Sequence, residues 1–146
     1  MNIVKTENYN MMQLKPEHLT QISSERAIQA FLKQDNCLGF YAYEDENLVG
    51  FALLRKFQEK QFFLWNFIID SRYQGCGKGK EFLKLLIDVL VKHYFAEVIT
   101  TTYVYGNEIE RKLYESFGFK QTDIYCQDGI YEINDIAIFI NPKNWK

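Results

Sequence analysis

A glycine-rich stretch, Asp70-Ser71-Arg72-Tyr73-Gln74-Gly75-Cys76-Gly77-Lys78-Gly79-Lys80, separates an apolar run ending at Ile69 from an amphipathic segment behind it. No other feature constrains the chain as much, because a strand, a glycine loop and a helix must follow one another here. Glycine at 75, 77 and 79 lets backbone approach a ligand without an obstructing Cβ. The first turn of the helix behind the loop presents unpaired N–H groups and the positive end of its dipole. Such a loop binds anions, and phosphate is the best fit.

Spacing separates the phosphate loops of this composition. A Walker A loop needs Gly-Lys followed by Ser or Thr for magnesium, whereas Gly79-Lys80 is followed by Glu81. The dinucleotide fingerprint G-x-G-x-x-G belongs in a first strand-to-helix turn; this loop is spaced G-x-G-x-G and follows a hairpin pattern. A glycine turn that binds nothing stays open as the structural alternative. What remains is Gln-x-x-Gly-x-Gly at Gln74, Gly77 and Gly79, which resembles the pyrophosphate loop of the GNAT N-acetyltransferase superfamily, enzymes that use acetyl-CoA.

The chain of 146 residues, 47% apolar and 16% aromatic, is long enough to bury one core and reads as a single domain over residues 1–146. Its longest apolar stretch, Phe62 to Ile69, is far too short for a membrane span, and Met1-Asn2-Ile3-Val4-Lys5 lacks an apolar signal region. A cytoplasmic protein is expected. A net charge of −2 lacks the basic excess of a nucleic-acid surface. Cys37, Cys76 and Cys126 form no C-x-x-C pair and His18 and His93 stand apart, which predicts neither a disulfide framework nor a metal site. Cys76 sits at a helix start, where thiols become reactive, although an incidental thiol is the simpler reading.

Periodicity lays out the elements. Ile3 to Thr6 reads as an edge strand, and Pro16 to Ile22 and Ser24 to Gln34 as helical, the second capped by Ser23 or Ser24. Leu38 to Tyr43 and Leu48 to Phe57 flank the polar tetrad Glu44-Asp45-Glu46-Asn47 as a hairpin, and Phe62 to Ile69 reads as a strand buried on both faces. The helix after the loop turns Phe82, Leu83, Leu85, Leu86, Val89 and Leu90 inward and Lys84, Asp88 and Lys92 outward. Ala96 to Val104 completes a right-handed parallel strand–helix–strand unit. Asn107 caps a short helix carrying Ile109, Leu113 and Phe117 and stopped by Gly118. Phe119 to Cys126 and Ile130 to Ile140 form a closing hairpin that turns at Asp128-Gly129. The fold class is α/β, a mixed sheet with flanking helices.

Asn107-Glu108-Ile109-Glu110-Arg111-Lys112-Leu113-Tyr114-Glu115-Ser116-Phe117-Gly118-Phe119 resembles the second motif of the same superfamily, N-x-x-A-x-x-L-Y-x-x-x-G-F, with Glu110 in the place of a small residue. Leu48-Val49-Gly50-Phe51 is similar to its third strand, so the resemblance runs from about residue 38 to the end. It implies a GNAT-like acyl-CoA N-acyltransferase fold with a mostly antiparallel central sheet. It also implies that the backbone of Phe67, Ile68 and Ile69 pairs with the pantetheine arm of the cofactor. Gln74, Gly75, Cys76, Gly77, Lys78, Gly79 and Lys80 then cradle the phosphates, Asn107 bonds the cofactor arm, and Tyr114 protonates the departing CoA thiolate. Packing at residues 67–69 and 114, capping by Asn107 and solvation of the lysines are structural readings of the same positions.

Acetyl transfer to an amine also needs a base, for which Glu44, Asp45 and Glu46 are candidates, while Asp70 reads better as a cap. Leu64-Trp65-Asn66-Phe67-Ile68-Ile69-Asp70-Ser71-Arg72-Tyr73-Gln74-Gly75 looks like the corresponding stretch of bacterial spermine/spermidine acetyltransferases. A polyamine is therefore the leading acceptor, with Glu44, Trp65, Asn66 and Tyr103 as its candidate contacts. An amino acid, an aminoglycoside-like drug or a peptide amine are rival acceptors, and an acetyl-CoA-binding sensor without efficient transfer is the rival class. Homodimerisation is expected from the aromatic content and the habit of the family.

Overall fold

A computed structural model of the chain describes residues 1–9, 25–122, 135–143 and 145. Its strands are β1 (Asn2–Thr6), β2 (Cys37–Glu44), β3 (Asn47–Gln58), β4 (Gln61–Ile69), β5 (Val98–Val104), β6 (Lys120–Gln121) and β7 (Asp135–Ile140). The helices are α1 (Glu25–Leu32), α2 (Lys78–Tyr94) and α3 (Glu108–Ser116). One sheet holds all these strands in the order β1-β2-β3-β4-β5-β7-β6. Every pair is antiparallel except β4 with β5, which α2 joins as a crossover. The helix expected over Pro16 to Ile22, the Ser23 or Ser24 cap, Cys126 and the Asp128-Gly129 turn lie outside the described residues. The described parts of the closing hairpin pair as Lys120↔Phe139 and Gln121↔Ile138.

The sheet carries a core on each face. On one, α2 buries Phe82, Leu83, Leu86, Ile87 and Leu90 against Phe40, Ala52, Leu64, Ile99 and Ile138. The buried stripe includes Ile87, whereas Leu85 and Val89, expected inward, are only partly covered. In α3 the inward stripe is 110, 113, 114 and 117, the i, i+3, i+4, i+7 set that one helix face permits. Ile109 falls off that stripe and is 84% exposed. Trp145 clasps both helices: its ring stacks on Phe117 at 5.9 Å, Lys84 Nζ lies 5.5 Å from it, and its indole N–H donates to Asp88. On the opposite face, α1 covers a second cluster of Tyr9, Ile28, Leu32, Tyr41, Phe51 and Ile68.

One irregularity in β4 positions everything that follows. Leu54 pairs with Leu64 but Leu53 pairs with Asn66, so Trp65 is an extra residue, a β-bulge. Its consequence is visible in the side chains: Leu64 faces the α2 core and so does Phe67, while Trp65 and Ile68 face the other way. The parallel ladder to β5 ends at the same point, its last rung being Leu64↔Thr101. Beyond it β5 stays on β7, through Thr102↔Ala137 to Val104↔Asp135, and β4 stays on β3. The two neighbouring strands thus part into a V, whose arms are Trp65 to Ile69 and Thr102 to Val104.

Candidate active site

At the mouth of the V the chain leaves β4 through a buried Asp70, whose carboxylate accepts from Arg72 N at 2.9 Å and Arg72 Nε at 3.0 Å. Asp70 is therefore the loop-shaping cap the sequence suggested, and it turns the chain through a single 3-10 turn, Ser71–Tyr73. Gly75 and Gly77 follow with φ of 80° and 81°, left-handed values that side-chain-bearing residues rarely adopt. Gly77 is also the N-cap of α2 and offers no side-chain hydrogen bond. Glu81 N closes the first helical bond onto Gly77 O at 3.1 Å, so the amides of Lys78, Gly79 and Lys80 face out of the helix front. Phe82 packs against Phe67 with centroids 4.9 Å apart and rings tilted by 31°, which seats this helix start over the open arm of β4.

The charged groups of the loop are coupled. Lys78 Nζ lies 3.2 Å from Glu44 and 3.5 Å from Glu81, and its pKa is raised, chiefly by the bond to Glu44. Glu44, at the end of β2, therefore stands beside the glycine loop. Asp45 and Glu46 are exposed in that turn, and Lys80 is exposed on the first turn of α2. The Gln74 carboxamide donates to Ile69 O at 3.0 Å, fastening the loop to the end of β4. Cys76 is exposed and its thiol donates to Tyr73 O at 2.9 Å.

Antiparallel pairing sorts the three residues expected to meet the cofactor arm. Asp70 N donates to Val49 O at 2.7 Å, so by alternation the backbone of Ile68 also turns toward β3, where Phe51 is its partner. Phe67 and Ile69 turn their backbone to the open side, and the Gln74 contact to Ile69 O agrees. Of residues 67–69, Ile68 is thus a sheet and core residue.

At the apex stands Tyr114, 2% exposed, its ring edge-on to Phe119 at 5.3 Å. On β5, Thr101 Oγ1 donates to Leu64 O at 2.8 Å. Burial, and next the charge of Glu110 one turn earlier, push the Tyr114 pKa far up. Glu110 itself is raised, first by burial and then by the charge of Asp135. Asn107 Oδ1 accepts from Glu110 N at 3.2 Å, the cap expected of it, a contact of about 1 kcal/mol.

The acceptor candidates do not gather in one place. Trp65 stacks on Phe31 at 4.2 Å on the α1 face, and Asn66, beside it, is 4% exposed. Tyr103 is on the other face, in the α2 core, where it lines a cavity of about 450 Å³ with Glu115, Phe119, Lys120 and Ile138. Period-2 alternation along β5 puts it on the Thr101 side, so it does not reach the Trp65 face. Two features escaped the sequence altogether. The bulge sits inside an apolar run that reads as a regular strand, and Thr101 belongs to a Thr-Thr-Thr run that signals only β propensity.

Comparison with known proteins places this geometry. The profile of the acetyltransferase (GNAT) family matches residues 6–119. A spermine/spermidine N(1)-acetyltransferase of Bacillus subtilis (strain 168) is 39% identical over 85 residues, which cover 53% of this chain and 56% of that protein. The chain thus spans about half the length of the curated relatives it matches. Among solved structures, an acetyltransferase of Bacillus subtilis in complex with CoA superposes with TM-score 0.71 at 18% identity, covering 96% of this chain and 97% of that one. A variant of spermidine N-acetyltransferase from Vibrio cholerae does so with TM-score 0.71 at 14% identity, over 97% and 95%. At such identities the likeness is one of fold. The match of the family profile over most of the chain, on a sheet with this V and this loop, shows that the chain belongs to the GNAT acetyltransferase family.

Proposed function

We propose that this chain transfers the acetyl group of acetyl-CoA to a primary amine of a small molecule, a polyamine first, by direct attack in a ternary complex. The observation that carries the proposal is the V between β4 and β5, with an uncapped helix start at its mouth and a buried phenol at its apex. Gly79 strengthens it. A Cβ there would meet only Ile69 Cγ1 at 3.5 Å, an ordinary contact, so nothing within the described chain demands glycine. A ligand passing close to the backbone does.

In this reading the amides of Gly77 to Lys80 hold the pyrophosphate at the positive end of α2. The open backbone of Phe67 and Ile69 pairs with the pantetheine arm, the Gln74 carboxamide yielding Ile69 O as it docks. Gly75 shapes the loop, Cys76 lies along it, and Lys78 and Lys80 add positive charge, Lys78 by exchanging Glu44 for phosphate. The neutral amine attacks the thioester carbonyl, an N–C bond forms and the C–S bond breaks. Tyr114 gives its proton to the leaving sulfur. Asn107 caps α3 and holds its first turn against the arm. Trp65, beside Asn66 on the α1 face, offers an aromatic surface to a polycation, where cation–π contact contributes about 0.5–2 kcal/mol. The proposal includes a cytoplasmic homodimer, as the sequence suggested.

Isothermal titration with acetyl-CoA, continued in the same cell as a thiol-release assay with spermidine, tests it. Binding followed by release is expected. Binding without release from any amine would leave a cofactor sensor, and absence of binding would remove the loop assignment.

A further inference from the structure

We propose that Glu44 sets the affinity for the donor: its carboxylate engages Lys78 in the free chain and competes with the cofactor phosphate for that cation, so that CoA is released after transfer rather than retained. The inference rests on the reading of the glycine loop as the pyrophosphate site and deepens it. Lys78 stands in an unfavourable place, the first residue of α2, where the positive end of the helix dipole disfavours a cation. Two carboxylates offset this, Glu44 at 3.2 Å and Glu81 at 3.5 Å. Glu81 belongs to the same helix, so its contact is an ordinary i, i+3 pair. Glu44 comes from the end of β2, and the hairpin rather than the loop fixes its position. In the free chain, then, a carboxylate from another element plays the part of the anion.

The contact with Glu44 is close without being well made. Glu44 Oε2, the atom nearest Lys78, is buried, and among the described residues no hydrogen-bond donor is aligned with it. Charge holds this pair, with the Lys78 side chain 25% exposed and that of Glu44 35%. A phosphate oxygen seated on the outward amides of α2 accepts directional bonds as well as charge, so it can draw Lys78 away from the carboxylate. The amine of Met1 also lies beside both carboxylates, 3.8 Å from Glu44 and 3.6 Å from Glu81. Ion pairs this exposed contribute little, so the competition trims affinity by a small factor and leaves the site usable. Affinity shared by donor, transition state and product does not speed the chemical step, whereas it does retain CoA.

The test is isothermal titration of wild type, Glu44→Gln, Lys78→Gln and Glu97→Gln with CoA, and of the same proteins with pantetheine, which carries no phosphate, read by displacement of CoA. Glu97 pairs with Lys60 at the far end of β4, about 30 Å away along its nine residues, and loses the same charge beyond a Debye length of about 10 Å. Glu44→Gln should bind CoA about two- to fivefold more tightly than wild type, the range of one exposed ion pair, and release it more slowly by about the same factor. Lys78→Gln should bind CoA about threefold or more weakly. Glu97→Gln should match wild type, and pantetheine should bind all four proteins alike. A Glu44 that positions Lys78 for phosphate, or only braces the loop, predicts the opposite sign, so CoA binding by Glu44→Gln that is unchanged or weaker overturns the inference. Wild-type affinity in Lys78→Gln does so too, because the contested cation would then not be used. An equal gain for pantetheine, or for CoA in Glu97→Gln, also overturns it, since the effect would bypass the phosphates or follow net charge alone. A wild type that binds no CoA removes the loop reading, and the inference goes with it.

Discussion

The lower and upper halves of β4 have the same apolar character and opposite uses. From Gln61 to Leu64 the strand is paired on both edges, to β3 and β5, and its side chains fill the core. From Trp65 to Ile69 it is paired to β3 alone, and its second edge looks into the V. Nothing in the hydrophobicity of the two halves distinguishes them. The difference comes from one inserted residue, which twists the strand away from β5 where β5 stays with β7. A closed ladder satisfies its own backbone, whereas an interrupted one keeps donors and acceptors for a ligand.

The largest effect expected is at the mouth of the open half. Gly77→Glu or Gly79→Glu puts a carboxylate where phosphate is proposed to sit, and acetyl-CoA binding by titration should fall below detection with the circular-dichroism spectrum unchanged. Deleting Trp65 should do nearly as much by another route. It removes the bulge yet leaves Leu64, Phe67 and Ile68 on their present faces, so the ladder can extend and close the V. Amides of Phe67 and Ile69 should then gain hydrogen-exchange protection while cofactor affinity drops at least about tenfold; unchanged exchange would show that the bulge does not open the strands. Tyr114→Phe should cost about 10²-fold or more in kcat with acetyl-CoA affinity held, read by steady-state rates against titration.

Phe62→Ala, in the closed half, should behave in the opposite sense. Removing a fully buried ring should destabilise by about 3–5 kcal/mol in chemical denaturation and leave KM of the remaining folded enzyme alone. The smallest effect concerns Glu110. Its carboxyl is raised in the fold, so the folded chain holds that proton more tightly than the unfolded one. Its contribution to stability is present below the ordinary value of 4.5 and lost as pH rises through the folded value. Glu110→Gln should therefore melt higher than wild type at pH 8, with the gap closing below pH 4.

Much of this was legible in the sequence because it depends on local rules. The glycine loop, Asn107 as cap, Asp70 as loop-former and the order of strands and helices follow from turn chemistry and periodicity, which act within a few residues. Errors arose where a longer range decides. Leu85 and Val89 read as inward from the helical period, but the sheet covers a stripe that includes Ile87 instead. Nothing local in the sequence says that the turn carrying Glu44 reaches Lys78. Alternation across paired strands sends the Tyr103 side chain into the α2 core and the Ile68 backbone toward β3, which no short spacing in the sequence records.

By itself, then, the sequence determined the glycine loop between strand and helix and the family, since each is carried by residue types at fixed short spacings. The tertiary structure alone decided that β4 and β5 part at Leu64↔Thr101 and which backbone edges stay open. Those facts depend on register between segments far apart in the chain, and register is set by how whole faces pack rather than by the residues at the point of contact.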